Sequence, residues 1–154
     1  MNIALMGFMG TDKSAVCRLL AKKLDKKLIS TYDELSKKMP IRTAKFVKNH
    51  GLNKFYELES EVIGSLSDLD DCVFDTSLSA ALRNENVINL KRNSLVILLT
   101  AGIKKLPSGL NSQDSPENES KYEKSADYII DTSSLSQEDV CDLIVHYLQT
   151  ENGN

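Results

Sequence analysis

One octapeptide near the start constrains the fold more than any other stretch: Gly7-Phe8-Met9-Gly10-Thr11-Asp12-Lys13-Ser14. An apolar run at residues 2–6 precedes it, and Val16, Leu19, Leu20 and Leu24 follow at helical spacing. Strand, tight loop and helix in that order form the setting of a phosphate-binding loop, whose pattern sets two glycines around four residues before Lys and Ser or Thr. Such a loop wraps backbone N–H groups around phosphates at a helix N-terminus, where the helix dipole adds attraction for anions. Gly7, Gly10, Thr11, Asp12, Lys13, Ser14 and Ala15 are therefore the expected nucleotide-phosphate residues. Lys13 is expected to reach the terminal phosphates as a catalytic group, and Ser14 to hold Mg²⁺.

Asp12 stands where the pattern has its second glycine. A carboxylate about 4 Å from a phosphate charge repels it by roughly 1 to 4 kcal/mol in a partly solvated site. Each step of about 1.4 kcal/mol is tenfold in affinity, so the expected loss runs from modest to about a thousandfold. A second reading makes the protein its own anion: Asp12 accepts from the orphan N–H groups and pairs with Lys13. A third makes the segment a simple strand-to-helix turn.

The remaining chain alternates short apolar runs with helical stretches. Strands are expected at residues 27–30, 72–74, 94–99 and 128–130. Helices are expected from Asp33 to the Pro40 stop, at 43–50, 53–66 and 80–90, and from Ser136 onward, where Asp139 three residues on makes a variant capping box. Alternation of this kind argues for an α/β fold, a mostly parallel sheet with helices on both faces. Residues 102–119, rich in Ser, Asn, Pro and Gly, break the pattern and are expected to form a mobile surface loop. With 154 residues, the chain fits a single domain over 1–150.

Composition narrows the partners. A net charge of −3 leaves no electrostatic footprint for nucleic acid, and 27% charged residues argue against membrane insertion. The apolar start lacks the basic segment of a secretory signal. Cys17, Cys72 and Cys141 are odd in number and far apart, which reads as buried thiols in a reducing cytoplasm.

The segment 2–10, then Lys13-Ser14 and Arg18-Leu19-Leu20-Ala21-Lys22-Lys23-Leu24, resembles the opening of shikimate kinases. Phe55 with 57–62, and Tyr122 with 126–132, extend the likeness along nearly the whole chain. The resemblance implies a three-layer P-loop kinase fold, ATP with Mg²⁺ as cofactors, and transfer of the γ-phosphoryl to a hydroxyl of shikimate. It also implies that Asp131 and Thr132, after the last strand, help to frame adenine. The family's Asp-x-Asp motif falls on Ser30 and Tyr32; a shifted alignment keeps only Asp33 as a catalytic candidate. Its substrate arginine becomes Tyr56, its three-glycine turn becomes Ser77-Leu78-Ser79, and a further arginine becomes Asn118. Residues 102–119 correspond to a shortened lid, and no arginine follows Arg92, although Lys104 and Lys105 offer charge there.

Together these substitutions lead to the expectation of an impaired kinase with weak or no nucleotide binding, used with a protein partner in a regulatory or interaction role. On that reading the self-occupied loop needs no cofactor. The rival is an active kinase using Lys13, Ser14, Asp33 and Asp75 on shikimate or another small hydroxylated metabolite. Asp75, closing an apolar strand, is the second metal candidate; an Asp ending a strand before Thr76 and Ser77 is also ordinary turn chemistry. His50 before Gly51 reads as a helix C-terminal residue, His146 as packing, and the mixed charges at 22–27 as a solvated face.

Overall fold

The computed structural model describes residues 1–101 and 116–152. Its centre is a parallel sheet of five strands, ordered β2-β3-β1-β4-β5: β1 Asn2–Gly7, β2 Lys27–Ser30, β3 Cys72–Asp75, β4 Ser94–Thr100 and β5 Tyr128–Asp131. The helices are α1 Lys13–Leu24, α2 Thr31–Lys38, α3 Thr43–His50, α4 Leu52–Leu66, α5 Asn84–Lys91, α6 Pro116–Ser125 and α7 Gln137–Asn152. This is the three-layer α/β arrangement expected from the alternating pattern.

Strand periodicity builds the two cores. In β1, Ile3 and Leu5 point into a cluster with Val16, Cys17 and Leu20 of α1 and Val140, Cys141 and Ile144 of α7. Ala4 and Met6 point the other way, against Leu35, Val62, Ile63, Leu66 and Leu90 from α2, α4 and α5. All six β1 residues but Gly7 are buried, which is why the run is apolar without alternation. The three cysteines are buried and free, as expected.

Local chemistry sets the ends. Ser30 accepts from the Asp33 N–H at 3.2 Å and starts α2 at Thr31, two residues before the expected start. Asp25 ends α1 in the left-handed region, φ 53° and ψ 47°. The capping box at α7 forms: Ser136 Oγ accepts from the Asp139 N–H at 3.0 Å while Asp139 Oδ2 accepts from the Ser136 N–H at 3.1 Å.

Two expectations need correction. The stretch 80–90 is not one helix: a 3-10 turn at Leu78–Leu82 ends at Arg83, whose extended backbone (φ −114°, ψ 125°) separates it from α5. Residues 116–119 are not loop but the first turn of α6, anchored by buried Tyr122, whose ring meets Phe8 edge-on at 5.6 Å. The rest of the expected loop, 102–115 with Lys104 and Lys105, lies outside the described residues. Among the described residues no helix is long and apolar enough to cross a membrane.

Candidate functional site

The loops following β1 and β3 meet at the carboxyl ends of neighbouring strands, the crevice where open α/β sheets take their ligands. After β1 the chain turns through residues 8–12 into α1. A Cβ on Gly7 would stand 2.7 Å from Thr11 Oγ1, and Gly10 has φ +87°, so both glycines are required by the turn. Thr11 is buried and donates its hydroxyl to the Phe8 carbonyl at 2.8 Å, closing the loop on itself. Residues 7–15 together with Arg18 line an open cavity of about 460 Å³.

Lys13, Ser14 and Asp75 come together. Lys13 Nζ lies 3.0 Å from Asp75 Oδ1 and donates to the Thr76 carbonyl at 2.8 Å. Ser14 Oγ donates to Asp75 Oδ2 at 2.8 Å. A serine hydroxyl beside a carboxylate is a hard oxygen pair suited to a divalent cation, and the lysine sits against it. In the β2–β3 register Ser30 lies opposite Asp75. The position where the resemblance expects a carboxylate is thus serine, and Asp75 faces it from the neighbouring strand.

Asp12 has φ 54° and ψ 36°, so its backbone takes the left-handed conformation that the missing glycine would take. Asp is among the residues that tolerate it. Its exposed side chain makes no capping hydrogen bond, and among the described residues it forms no ion pair with Lys13. The self-occupied loop is therefore overturned: the Asp12 side chain neither caps α1 nor holds Lys13, which is drawn to Asp75 and Thr76.

Other expected residues lie apart. Asp33 is exposed in the first turn of α2; its backbone N–H donates to Ser30 Oγ, and no bond joins its side chain to Lys13, Ser14 or Asp75 among the described residues. Asp131 accepts from the Ser133 N–H and hydroxyl at 3.0 and 2.7 Å, while Thr132 is fastened to Thr100 through its N–H and hydroxyl. Asp131 ends β5 and Thr132 follows it, at the same sheet end as the loop. Asn118 lies in α6. His50, exposed at the end of α3, lies tilted against Phe46 with ring centroids 4.6 Å apart, and His146 is exposed with its ring 6.1 Å from that of Tyr147, a surface position rather than the packing one expected.

Two groups escaped the sequence reading. Arg18 faces the loop cavity because it follows Ser14 by one helical turn. Glu59, 2% exposed, accepts at Oε2 from Ser77 Oγ and Ser79 Oγ, each at 2.7 Å, while its Oε1 is buried without a partner among the described residues. Burial pushes its carboxyl above the usual range; the two serine hydroxyls and nearby Arg83 oppose that rise. Its signal was spacing: 59, 62, 63 and 66 are the buried stripe of α4. Tyr56, at the position of the expected arginine, has the Arg83 guanidinium 5.9 Å over its ring.

Comparison with known proteins agrees with this geometry. The family profile for shikimate kinase matches residues 9–149. A shikimate kinase of Thermodesulfovibrio yellowstonii is 30% identical over 170 aligned positions, covering 99% of this chain and 98% of its own. One from Caldicellulosiruptor bescii is 36% identical over 114 positions, 74% of this chain and 66% of the relative. The solved structure of Acinetobacter baumannii shikimate kinase in complex with shikimate shares the fold, with a TM-score of 0.76 at 21% identity over 97% of this chain and 93% of that one. With the profile spanning most of its length and a relative matched nearly end to end, the chain belongs to the shikimate kinase family.

Proposed function

We propose that this family member takes a nucleotide phosphate weakly or not at all at the loop of residues 7–15 and transfers phosphoryl to shikimate poorly, serving as a regulatory or interaction module with a protein partner in the cytoplasm. The observation that carries the reading is Asp12: an exposed, unengaged carboxylate at the mouth of the loop, where an anion must enter. The acceptor side supports it, since Tyr56 replaces a cation and Ser77-Leu78-Ser79 places side chains where the family's glycines leave room. Phosphoryl transfer relies on positioning and charge stabilisation rather than covalent chemistry by the protein. An anion added on the phosphate side and a cation lost on the acceptor side therefore lower the rate directly.

Ser14 and Asp75 fit Mg²⁺ by their donor chemistry, and bound Mg²⁺ would neutralise charge on the β- and γ-phosphates. Around it Lys13 would exchange its contact with Asp75 for a phosphate oxygen, the Gly10 to Ala15 amides would hold the same anion, and Asp131 and Thr132 would border the base. The intact Lys13–Ser14–Asp75 cluster favours a second reading, an active kinase for shikimate or a related small hydroxylated metabolite.

A coupled ADP-release assay with Mg-ATP separates the two. With shikimate present, the expected rate stays at the shikimate-free background; sustained turnover comparable to an authentic shikimate kinase assayed alongside defeats the proposal. Saturable turnover with another hydroxylated acceptor selects the second reading.

A further inference from the structure

The segment 76–79, between β3 and the 3-10 turn, is held from three sides. Lys13 Nζ donates to the Thr76 carbonyl at 2.8 Å. Thr31 Oγ1, at the start of α2, accepts from the Ser77 N–H at 3.1 Å and donates to the Asp75 carbonyl at 3.3 Å. Glu59, from α4, takes both serine hydroxyls on a single oxygen. A buried carboxylate is costly, and this one leaves Oε1 without a partner among the described residues. Among the described residues no second carboxylate and no salt-bridged cation shares the load; Arg83 bears on it only at longer range. Leaving such a group inside the protein makes physical sense when its strong, charge-assisted bonds fix something else.

What they fix is the carbonyl that aims Lys13. Ser77 is the next residue after Thr76, so orienting its side chain and its N–H sets the plane of the peptide between them. That peptide carries the Thr76 oxygen. We infer that Glu59 is a positioning residue of the phosphate site, acting through Ser77 and Ser79 on the Thr76 carbonyl to place the Lys13 ammonium. The inference deepens the proposed function, in which Lys13 contacts phosphate, yet it stands on hydrogen bonds that need no nucleotide. In this chain the two serines thus do more than fill space: they connect α4 to the phosphate loop.

The test reads Lys13 itself. Wild type, Ser77→Ala, Ser77→Thr, the Ser77→Ala/Ser79→Ala double variant and Glu59→Gln are pulsed with limiting acetic anhydride, and acetylation at each lysine is quantified by mass spectrometry. Losing one hydrogen bond that restrains the lysine corresponds to about a two- to tenfold faster reaction at Lys13. That acceleration is expected for Ser77→Ala, the double variant and Glu59→Gln, with Ser77→Thr restored towards wild type because it keeps the hydroxyl. Lys26, tied to the Met1 carbonyl and to Asp71, reports on the fold and should keep its rate. Should Glu59→Gln loosen Lys26 as well, the serine variants decide. An unchanged Lys13 rate in the double variant overturns the inference, as does failure of Ser77→Thr to restore it while Lys26 is unchanged. The ADP-release assay on the same proteins keeps the two readings distinct: faster Lys13 labelling in the variants alongside sustained shikimate-dependent turnover by wild type removes the proposed function and leaves the positioning role.

Discussion

At the residue scale, the phosphate loop shows how far a motif carries. Gly7, Gly10, Lys13 and Ser14 announce the turn, and their geometry follows from steric demands that any sequence of this pattern meets. The position of a side chain that departs from the pattern does not follow. Pairing Asp12 with Lys13 is the natural inference from adjacent charges, but Asp75 arrives from β3 and wins the lysine, a tertiary contact with no local trace. Glu59 was hidden for the opposite reason, since a glutamate on an apolar helix stripe is discounted as surface until its serine partners are known. The Glu59 carboxyl predicts a pH effect with a definite sign. Its folded value is raised above the ordinary 4.5, so its contribution favours folding at low pH and is lost as pH rises through the raised value. Glu59→Gln should flatten that part of the pH dependence. Thermal melts of both proteins at half-unit pH steps check it, and parallel curves would contradict the assignment.

Elements were legible where burial is periodic or complete. The central strands β1, β3 and β4 announce themselves because strands buried on both faces are nearly continuous apolar runs, as residues 95–99 show. The edge strands β2 and β5, only partly buried, are legible from short apolar runs alternating with helices. The exception is α6, whose sequence PENESKYEKS buries only Tyr122 and Ser125 and so carries no stripe. The break at Arg83 was equally silent, because Ala80, Ala81 and Leu82 are apolar in either conformation. One junction yields a prediction: Gly51 has φ 88° and ψ 160°, a region essentially reserved for glycine, between α3 and α4. Gly51→Ala meets no neighbour within 4 Å, so backbone strain is its main cost. It should destabilise the protein by about 1 to 3 kcal/mol. Urea denaturation would show a lower midpoint with an unchanged slope, and an unshifted midpoint would contradict the local geometry.

For the whole molecule, two apolar layers around one sheet explain why the thiols are quiet. Cys17 and Cys141 lie in the layer between α1 and α7, and Cys72 in the opposite one. Burial raises all three, Cys141 to about 11. Native protein should therefore resist a thiol-specific aromatic disulfide at neutral pH and release three equivalents of chromophore once unfolded in guanidinium; fast reaction of any thiol in the native state would contradict the packing.

The account as a whole turns on the charge that Asp12 places at the cavity mouth. Calorimetric titration with Mg-ATP of wild type, Asp12→Gly and Asp25→Gly tests it most directly, because Asp25 shares the left-handed backbone but caps the far end of α1. Relief of a repulsion of roughly 1 to 4 kcal/mol predicts about five- to thousandfold tighter binding for Asp12→Gly. Asp25→Gly should bind as wild type does. Tight binding by wild type, or a gain in Asp12→Gly no greater than in Asp25→Gly, would contradict the account.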